Sequence, residues 1–165
     1  MRLPDYDYSR SGAYFITICS FNKELVFGKI VDGRCVLSEI GNIAAKYLEE
    51  IPNHFDNVFI DEYVIMPNHI HIIISIVGVQ NFEPLQNEYQ KIIPKSIGSI
   101  VRAFKASVTS WSKANGYKNF KWQRNYFEQI IRNDEEYIRI REYIRNNPLQ
   151  WELDDENPLN RNSIK

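Results

Sequence analysis

The run Ile70-His71-Ile72-Ile73-Ile74-Ser75-Ile76-Val77, reached through Met66-Pro67-Asn68-His69, leaves the chain little conformational choice. Ile70, Ile72, Ile74 and Ile76 alternate with His69, His71, Ile73, Ser75 and Val77. A period of two in a β-branched run behind a Pro-Asn turn specifies a strand, because alternate side chains of extended backbone point to opposite faces. One face is then all isoleucine and must be buried. The other begins with two histidines at i and i+2, side by side. Two adjacent imidazoles can close on one metal ion, neutral imidazole being a common metal ligand. A bare His-x-His is more often a pair of half-exposed strand histidines, so the metal reading needs support from elsewhere in the chain.

The remaining segments supply partners for this strand. Tyr14 to Ser20 reads as a strand, and Val26 to Val31 and Arg34 to Leu37 as a hairpin across Asp32-Gly33, a strong two-residue turn. Ser38 is placed to cap a helix with Ile40, Ile43, Ala44, Tyr47, Leu48 and Ile51 at helical spacing, closed by Pro52. Val58 to Ile65 is a second main strand, turned by Pro67-Asn68 into the histidine strand as its antiparallel neighbour. Gly78 to Pro94 is polar and reads as a mobile loop. Ser96 caps a second helix with an apolar stripe of Ile97, Ile100, Val101, Phe104, Val108 and Trp111, ended by Asn115-Gly116. A fourth strand lies within Trp122 to Ile131. Asn133 and Glu136 form a capping box for a third helix, which Pro148 stops.

Strand, helix, strand, strand, helix, strand and an extra helix is the order of a ferredoxin-like, split βαβ, α+β fold. It predicts an antiparallel sheet with two helices on one face. The isoleucines should meet those helices, leaving His69 and His71 on the opposite, open face. Residues 1–151 read as a single domain and 152–165 as a polar, loosely held tail.

Composition excludes some classes. The start of the chain, Met1 to Asp7, lacks the apolar core of a secretory leader, and Ile70 to Val79 is too short to span a bilayer. Cys19 and Cys35 have no redox or metal spacing, which points to reduced thiols in a cytoplasmic protein. The net charge of −1 is uninformative, but its distribution is not. Lys95 to Trp151 carries eleven Lys and Arg against five Asp and Glu, a net of +6; the remainder carries nine against sixteen, a net of −7. A basic half on a neutral chain suits either an anionic partner or a pair of solvated helix faces.

The third helix places Arg139, Tyr143 and Asn147 in one column at steps of four, with Tyr137, Ile140 and Ile144 beside it to anchor the helix. Pro148 disfavours helical geometry at Asn147. Met66-Pro67-Asn68-His69-Ile70-His71, then Trp122-Gln123-Arg124-Asn125-Tyr126-Phe127, Ile131-Arg132-Asn133 and Tyr143-Ile144-Arg145-Asn146-Asn147-Pro148 resemble, in that order, the HUH-class single-tyrosine transposases. The resemblance is greatest to the REP-associated tyrosine transposases and runs from about Tyr14 to about Trp151.

That resemblance implies a site and a chemistry. His69, His71 and Asn147 match the ligands of a divalent metal, Mg or Mn, and Tyr143 matches the nucleophile. The family cuts single-stranded DNA with hairpin ends, forms a 5′-phosphotyrosine and leaves a free 3′-hydroxyl, so that rejoining needs no ATP. Neutral nitrogen ligands suit Mg poorly, and substrate phosphate can supply the missing oxygen. From the residues themselves, Arg139 is placed to lower the Tyr143 pKa or to hold phosphate. Arg102, Lys105, Arg124, Arg132, Arg139 and Arg145, with Lys95 and Arg141, are candidate phosphate contacts. Trp122, Tyr126 and Phe127 are candidates to stack on bases, with core packing expected to claim at least two of them.

The sequence supports a transposase, either mobile or domesticated, working as a monomer or as a homodimer that exchanges the third helix. Its rivals are a relaxase-like nuclease, against which the short chain argues, and a non-catalytic DNA-hairpin-binding protein, against which the full set of catalytic candidates argues. A metal-binding small-molecule regulator would leave the basic helix face without a purpose.

Overall fold

The computed structural model describes residues 12–77 and 97–161. The loop expected from Gly78 to Pro94, the Ser96 cap and Lys95 lie outside the described residues. The elements run in the anticipated order: β1 (Gly12–Cys19), β2 (Gly28–Val31), β3 (Arg34–Leu37), α1 (Glu39–His54), β4 (Val58–Ile65), β5 (His69–Ile76), α2 (Ile97–Ala114), β6 (Phe127–Ile131), α3 (Asp134–Asn146) and a short α4 (Pro158–Arg161). The main sheet is antiparallel throughout, in the order β4-β5-β1-β6. The histidine strand is therefore interior, with β1 on one side and β4 on the other.

The core lies where the isoleucine face predicts. Ile70, Ile72 and Ile74 pack with Ile16 and Ile18 of β1, Leu48 and Ile51 of α1, and Ile100, Phe104 and Val108 of α2. Each fully buried isoleucine side chain contributes about 1.5–3 kcal/mol of burial free energy. Trp122 and Tyr126 pack against this core, Trp122 donating its indole N–H to the Lys105 carbonyl at 3.1 Å. Two of the three aromatic candidates for base stacking are thus committed to packing, while Phe127 is 53% exposed.

Local signals decide the connections. Asp32 and Gly33 both take positive φ, 51° and 75°, as a tight Asp-Gly hairpin requires. The Ser38 hydroxyl accepts from the Gly41 N–H at 3.1 Å and donates to the Val26 carbonyl at 2.6 Å, joining the α1 cap to the hairpin. Helix α1 runs two residues past Pro52, because a proline in the last turn gives up only one hydrogen bond. Asn133 caps α3 by accepting from the Glu136 N–H at 2.8 Å. The Glu136 carboxylate reaches the Arg132 N–H rather than that of Asn133, so the box closes one residue early.

Three expectations need correcting. The face carrying the histidines is not open: α3 covers it, with Tyr137, Ile140 and Ile144 packed on Ala13, Phe15, Ile73 and Ile131. The sheet is therefore a filling between two helical layers, since α3 has an apolar stripe of its own to bury. Asn147 is helical, at φ −58° and ψ −43°, despite Pro148. Pro148 opens a 3-10 turn, Pro148–Leu153, in which its missing N–H is not needed. Residues 152–160 do not hang loose; they fold back on the sheet end through side chains described below.

Gly41 marks the closest approach of α1 to the hairpin, since a Cβ there would lie 2.0 Å from the Phe27 carbonyl oxygen. Helix propensity alone favours Gly41→Ala by about 1 kcal/mol. The clash is with backbone, so the replacement is expected to lower stability by about 1–3 kcal/mol. Urea unfolding measures it, and an unchanged or raised midpoint would refute the contact.

Candidate active site

The turn before β5 fixes the first histidine. Asn68 is wholly buried, and its amide N–H groups donate to the carbonyls of Lys23 at 3.2 Å and Glu156 at 2.7 Å. Its oxygen must therefore face His69 Nδ1, 2.8 Å away, so Nδ1 carries the proton and Nε2 the lone pair. That Nε2 faces Asn147 Oδ1 at 3.4 Å and Asp154 Oδ2 at 3.8 Å. The Asn147 amide is itself oriented, because its nitrogen donates to Asp154 Oδ2 at 3.2 Å. His69 Nε2, Asn147 Oδ1 and Asp154 Oδ2 are thus drawn together, with only the Asn147 amide N–H donating within the group.

The second histidine adds a fourth. His71 pairs across the sheet with Thr17, whose hydroxyl lies 2.8 Å from His71 Nδ1. His71 Nε2 is one of three buried polar side-chain atoms without a hydrogen-bond partner among the described residues. Such an orphan costs about 1–3 kcal/mol unless something meets it. Burial pushes both imidazoles below their usual pKa; His69 lowers His71 further, while Asp154 pulls His69 part of the way back. Neutral imidazoles, an amide oxygen and a carboxylate are the donor set of a divalent cation, so the residues fit a metal site. Among the described residues no three His, Cys, Asp or Glu side chains close into a cage; the amide is part of the set.

Tyr143 stands over this group. Its ring is edge-on to His71, with centroids 5.3 Å apart, and to Phe15 at 6.2 Å. Tyr143, His71, Asn147, Asp154 and Lys23 line one cavity of about 440 Å³, with Phe15 and Phe127 as its apolar wall. Burial raises the tyrosine pKa, Asp154, Asp155 and Glu156 add to the rise, and a hydrogen bond with Asn147 opposes it. Arg139 is exposed on α3 and does not line the cavity, contrary to its expected place beside the hydroxyl. The cation on the cavity wall is Lys23, bound to Glu156 and donating to Cys19 Sγ at 3.3 Å.

The other basic candidates divide. Arg102, Lys105 and Arg124, with Lys113 and Tyr126, line a groove of about 810 Å³ beside α2. Arg132 and Arg139 are exposed at or along α3, and Arg145 pairs with Glu62 at 3.1 Å. Arg141 lies half-buried over the Tyr137 ring. Asp61 accepts from the Tyr137 hydroxyl at 3.2 Å and helps anchor α3.

Sequence reasoning passed over Thr17, Lys23 and Asp154, and used Asn68 only as part of a motif. Thr17 could have been found from strand alternation plus the β1–β5 register. Nothing in a polar terminal segment marks Asp154.

The family model for IS200-like transposases matches residues 23–147. An uncharacterized protein of Haemophilus influenzae (strain ATCC 51907 / DSM 11121 / KW20 / Rd) is 49% identical over 162 residues, covering 93% of this chain and 89% of that one. The solved structure of a REP-associated tyrosine transposase bound to a REP hairpin superposes with a TM-score of 0.60 at 20% identity, covering 91% of this chain and 74% of that one. Among the described residues no helix is long and apolar enough to cross a membrane.

Asn68 ties the His69 tautomer to two otherwise separate loops. Asn68→Ala strands two part-buried carbonyls and the buried His69 Nδ1, and is expected to cost about 1–3 kcal/mol in urea unfolding. Amide exchange at residues 154–157 should rise with it. Unchanged protection there would show that Asn68 does not hold the segment.

Proposed function

The chain belongs to the IS200-like transposase family, and from that premise we propose that it cleaves and rejoins single-stranded DNA through a covalent bond to Tyr143. The observation that carries this reading is the tyrosine ring 5.3 Å from the ring of His71, whose buried Nε2 has no partner among the described residues, in one cavity. His69, His71 and Asn147 would hold a divalent ion, Mg or Mn. When bound, that ion supplies Lewis acidity toward a non-bridging phosphate oxygen and offsets the charge that develops there.

The chain's own groups do the rest. The Tyr143 oxygen attacks phosphorus; its bond to phosphorus forms as the bond from phosphorus to the 3′-oxygen breaks. The phenolic proton is given up and the departing 3′-oxygen ends as a hydroxyl. The 5′-phosphate stays on the tyrosine, which conserves the ester bond for transfer to another strand. Asn147 lines the same cavity as the tyrosine and opposes the rise in its pKa. Phe15 and Phe127 shield one side of the cavity from water, which would otherwise hydrolyse the ester. The Thr17 hydroxyl, 2.8 Å from His71 Nδ1, can accept an Nδ1–H, the tautomer that leaves Nε2 free to bind. The approach of the Tyr143 ring to that of His71 within one chain, at 5.3 Å, supports a site built without exchange of α3.

DNA with a hairpin end is the proposed substrate, held by the groove that Arg102, Lys105 and Arg124 line. Lys105 is partly committed, donating to the Gln123 carbonyl at 3.0 Å, so the two arginines are the better probes.

A denaturing gel with labelled single-stranded hairpin DNA tests the chemistry. The wild type with Mn should give a covalent DNA–protein adduct that EDTA prevents and Tyr143→Phe abolishes. Hairpin binding without an adduct in any metal would leave a non-catalytic hairpin-binding protein. In a separate binding assay, replacing Arg102 and Arg124 together by Ala should weaken hairpin affinity irrespective of sequence and reduce the log–log salt slope by about 2. An unchanged slope would exclude the groove.

A further inference from the structure

We propose that Asp154 is itself a ligand of the divalent ion, so that the turn after α3 completes the metal site. The inference rests on the metal-site reading above and adds a residue to it. Asp154 Oδ2 lies 3.8 Å from His69 Nε2 and accepts from the Asn147 amide nitrogen at 3.2 Å, so it borders both residues. Its side chain is only 5% exposed, an unusual depth for a carboxylate. His71, on the wall of the same cavity, independently offers a buried Nε2 with no hydrogen-bond partner among the described residues.

The carboxylate is held in place from behind. Asp154 Oδ1 accepts from the Glu156 N–H at 2.8 Å, and the Asp154 carbonyl accepts from the Asn160 amide at 2.8 Å. Asn68 grips the next residues through the Glu156 carbonyl. The same asparagine that orients His69 therefore also positions the loop that delivers Asp154. A ligand on so short and so anchored a turn is preorganised.

The chemistry favours the assignment. Two neutral nitrogens and one amide oxygen form a weak site for Mg or Mn, both of which prefer hard, anionic oxygen. A carboxylate supplies that oxygen and a full negative charge without waiting for substrate. The alternative role for Asp154 is only to orient Asn147, and the two roles separate on one substitution. Asp154→Asn keeps one oxygen that can still accept from the Asn147 amide, loses the anionic ligand, and sets an amide nitrogen in place of the oxygen that accepts from the Glu156 N–H, a local cost that the unfolding midpoint in EDTA reads separately.

The test is Mn binding by the full chain without DNA, followed by calorimetry and by loss of the free-ion electron paramagnetic resonance signal. Asp154→Asn is compared with wild type and with His71→Ala. Asp154→Asn should raise the Mn Kd by at least about tenfold, and so should His71→Ala. The unfolding midpoint of each protein with Mn is read against its own midpoint in EDTA, so that a general loss of stability is not mistaken for loss of a ligand. Wild-type affinity in Asp154→Asn with weakened binding in His71→Ala would overturn the role of Asp154 and leave the histidine site standing. Absence of Mn binding by the wild type would overturn both.

Discussion

Strand β5 is covered on both faces, and most of the architecture follows from that. Its isoleucine face is closed by α1 and α2, its histidine face by α3. A strand buried on both sides can gain several kcal/mol from each apolar residue, but every polar group on it must find a partner. His69 and His71 are 0% and 5% exposed. Left alone they would cost more than one of the neighbouring isoleucines contributes. The surrounding polar residues are arranged around that cost: Asn68 before the strand, Thr17 across the sheet, Asn147 at the end of α3 and Asp154 in the turn beyond it. Among the described residues His71 Nε2 has no hydrogen-bond partner, and His69 Nε2 faces only the oxygens of Asn147 and Asp154.

This accounting explains which parts of the molecule were legible in the sequence. Period-two isoleucines, the Asp32-Gly33 turn and the Ser38 and Asn133 caps are local codes, each settled by a few residues and general stereochemistry. The column of Tyr143 and Asn147 was readable for the same reason, since helical spacing alone aligns them. Where α3 would dock was not, even though Tyr137, Ile140 and Ile144 announced an apolar stripe. A stripe says that a helix packs, not on which layer; the open histidine face was free to receive it. The turn carrying Asp154 was the least readable. Its composition is that of a solvated tail, and only the buried groups it meets distinguish it from one.

Charge is separated over short distances within the molecule. The residues from Trp122 to Phe127 run between two concavities, with Gln123 and Phe127 on the cavity of Tyr143, and Arg124 and Tyr126 on the basic groove. The groove is lined by Arg102, Lys105 and Lys113 as well, whereas the cavity presents Asp154, Asp155 and Glu156. A polyanion would be drawn to the first and repelled by the second. Arg139, which spacing placed one turn from Tyr143, does nothing to correct that imbalance from its exposed position.

The imbalance bears on the tyrosine itself. An ordinary tyrosine, with a pKa near 10, is ionised to about one part in a thousand at neutral pH. Burial and three carboxylates move Tyr143 in the wrong direction for a nucleophile. Taken alone, that would argue against catalysis, and it is why the electron-rich atoms below the ring matter. A divalent charge placed among His69, His71, Asn147 and Asp154 would reverse the sign of the local field, turning the groups that hold the phenol protonated into the groups that hold its activator. In the reading proposed here, the cation would offset the burial and the carboxylates that raise the pKa of Tyr143.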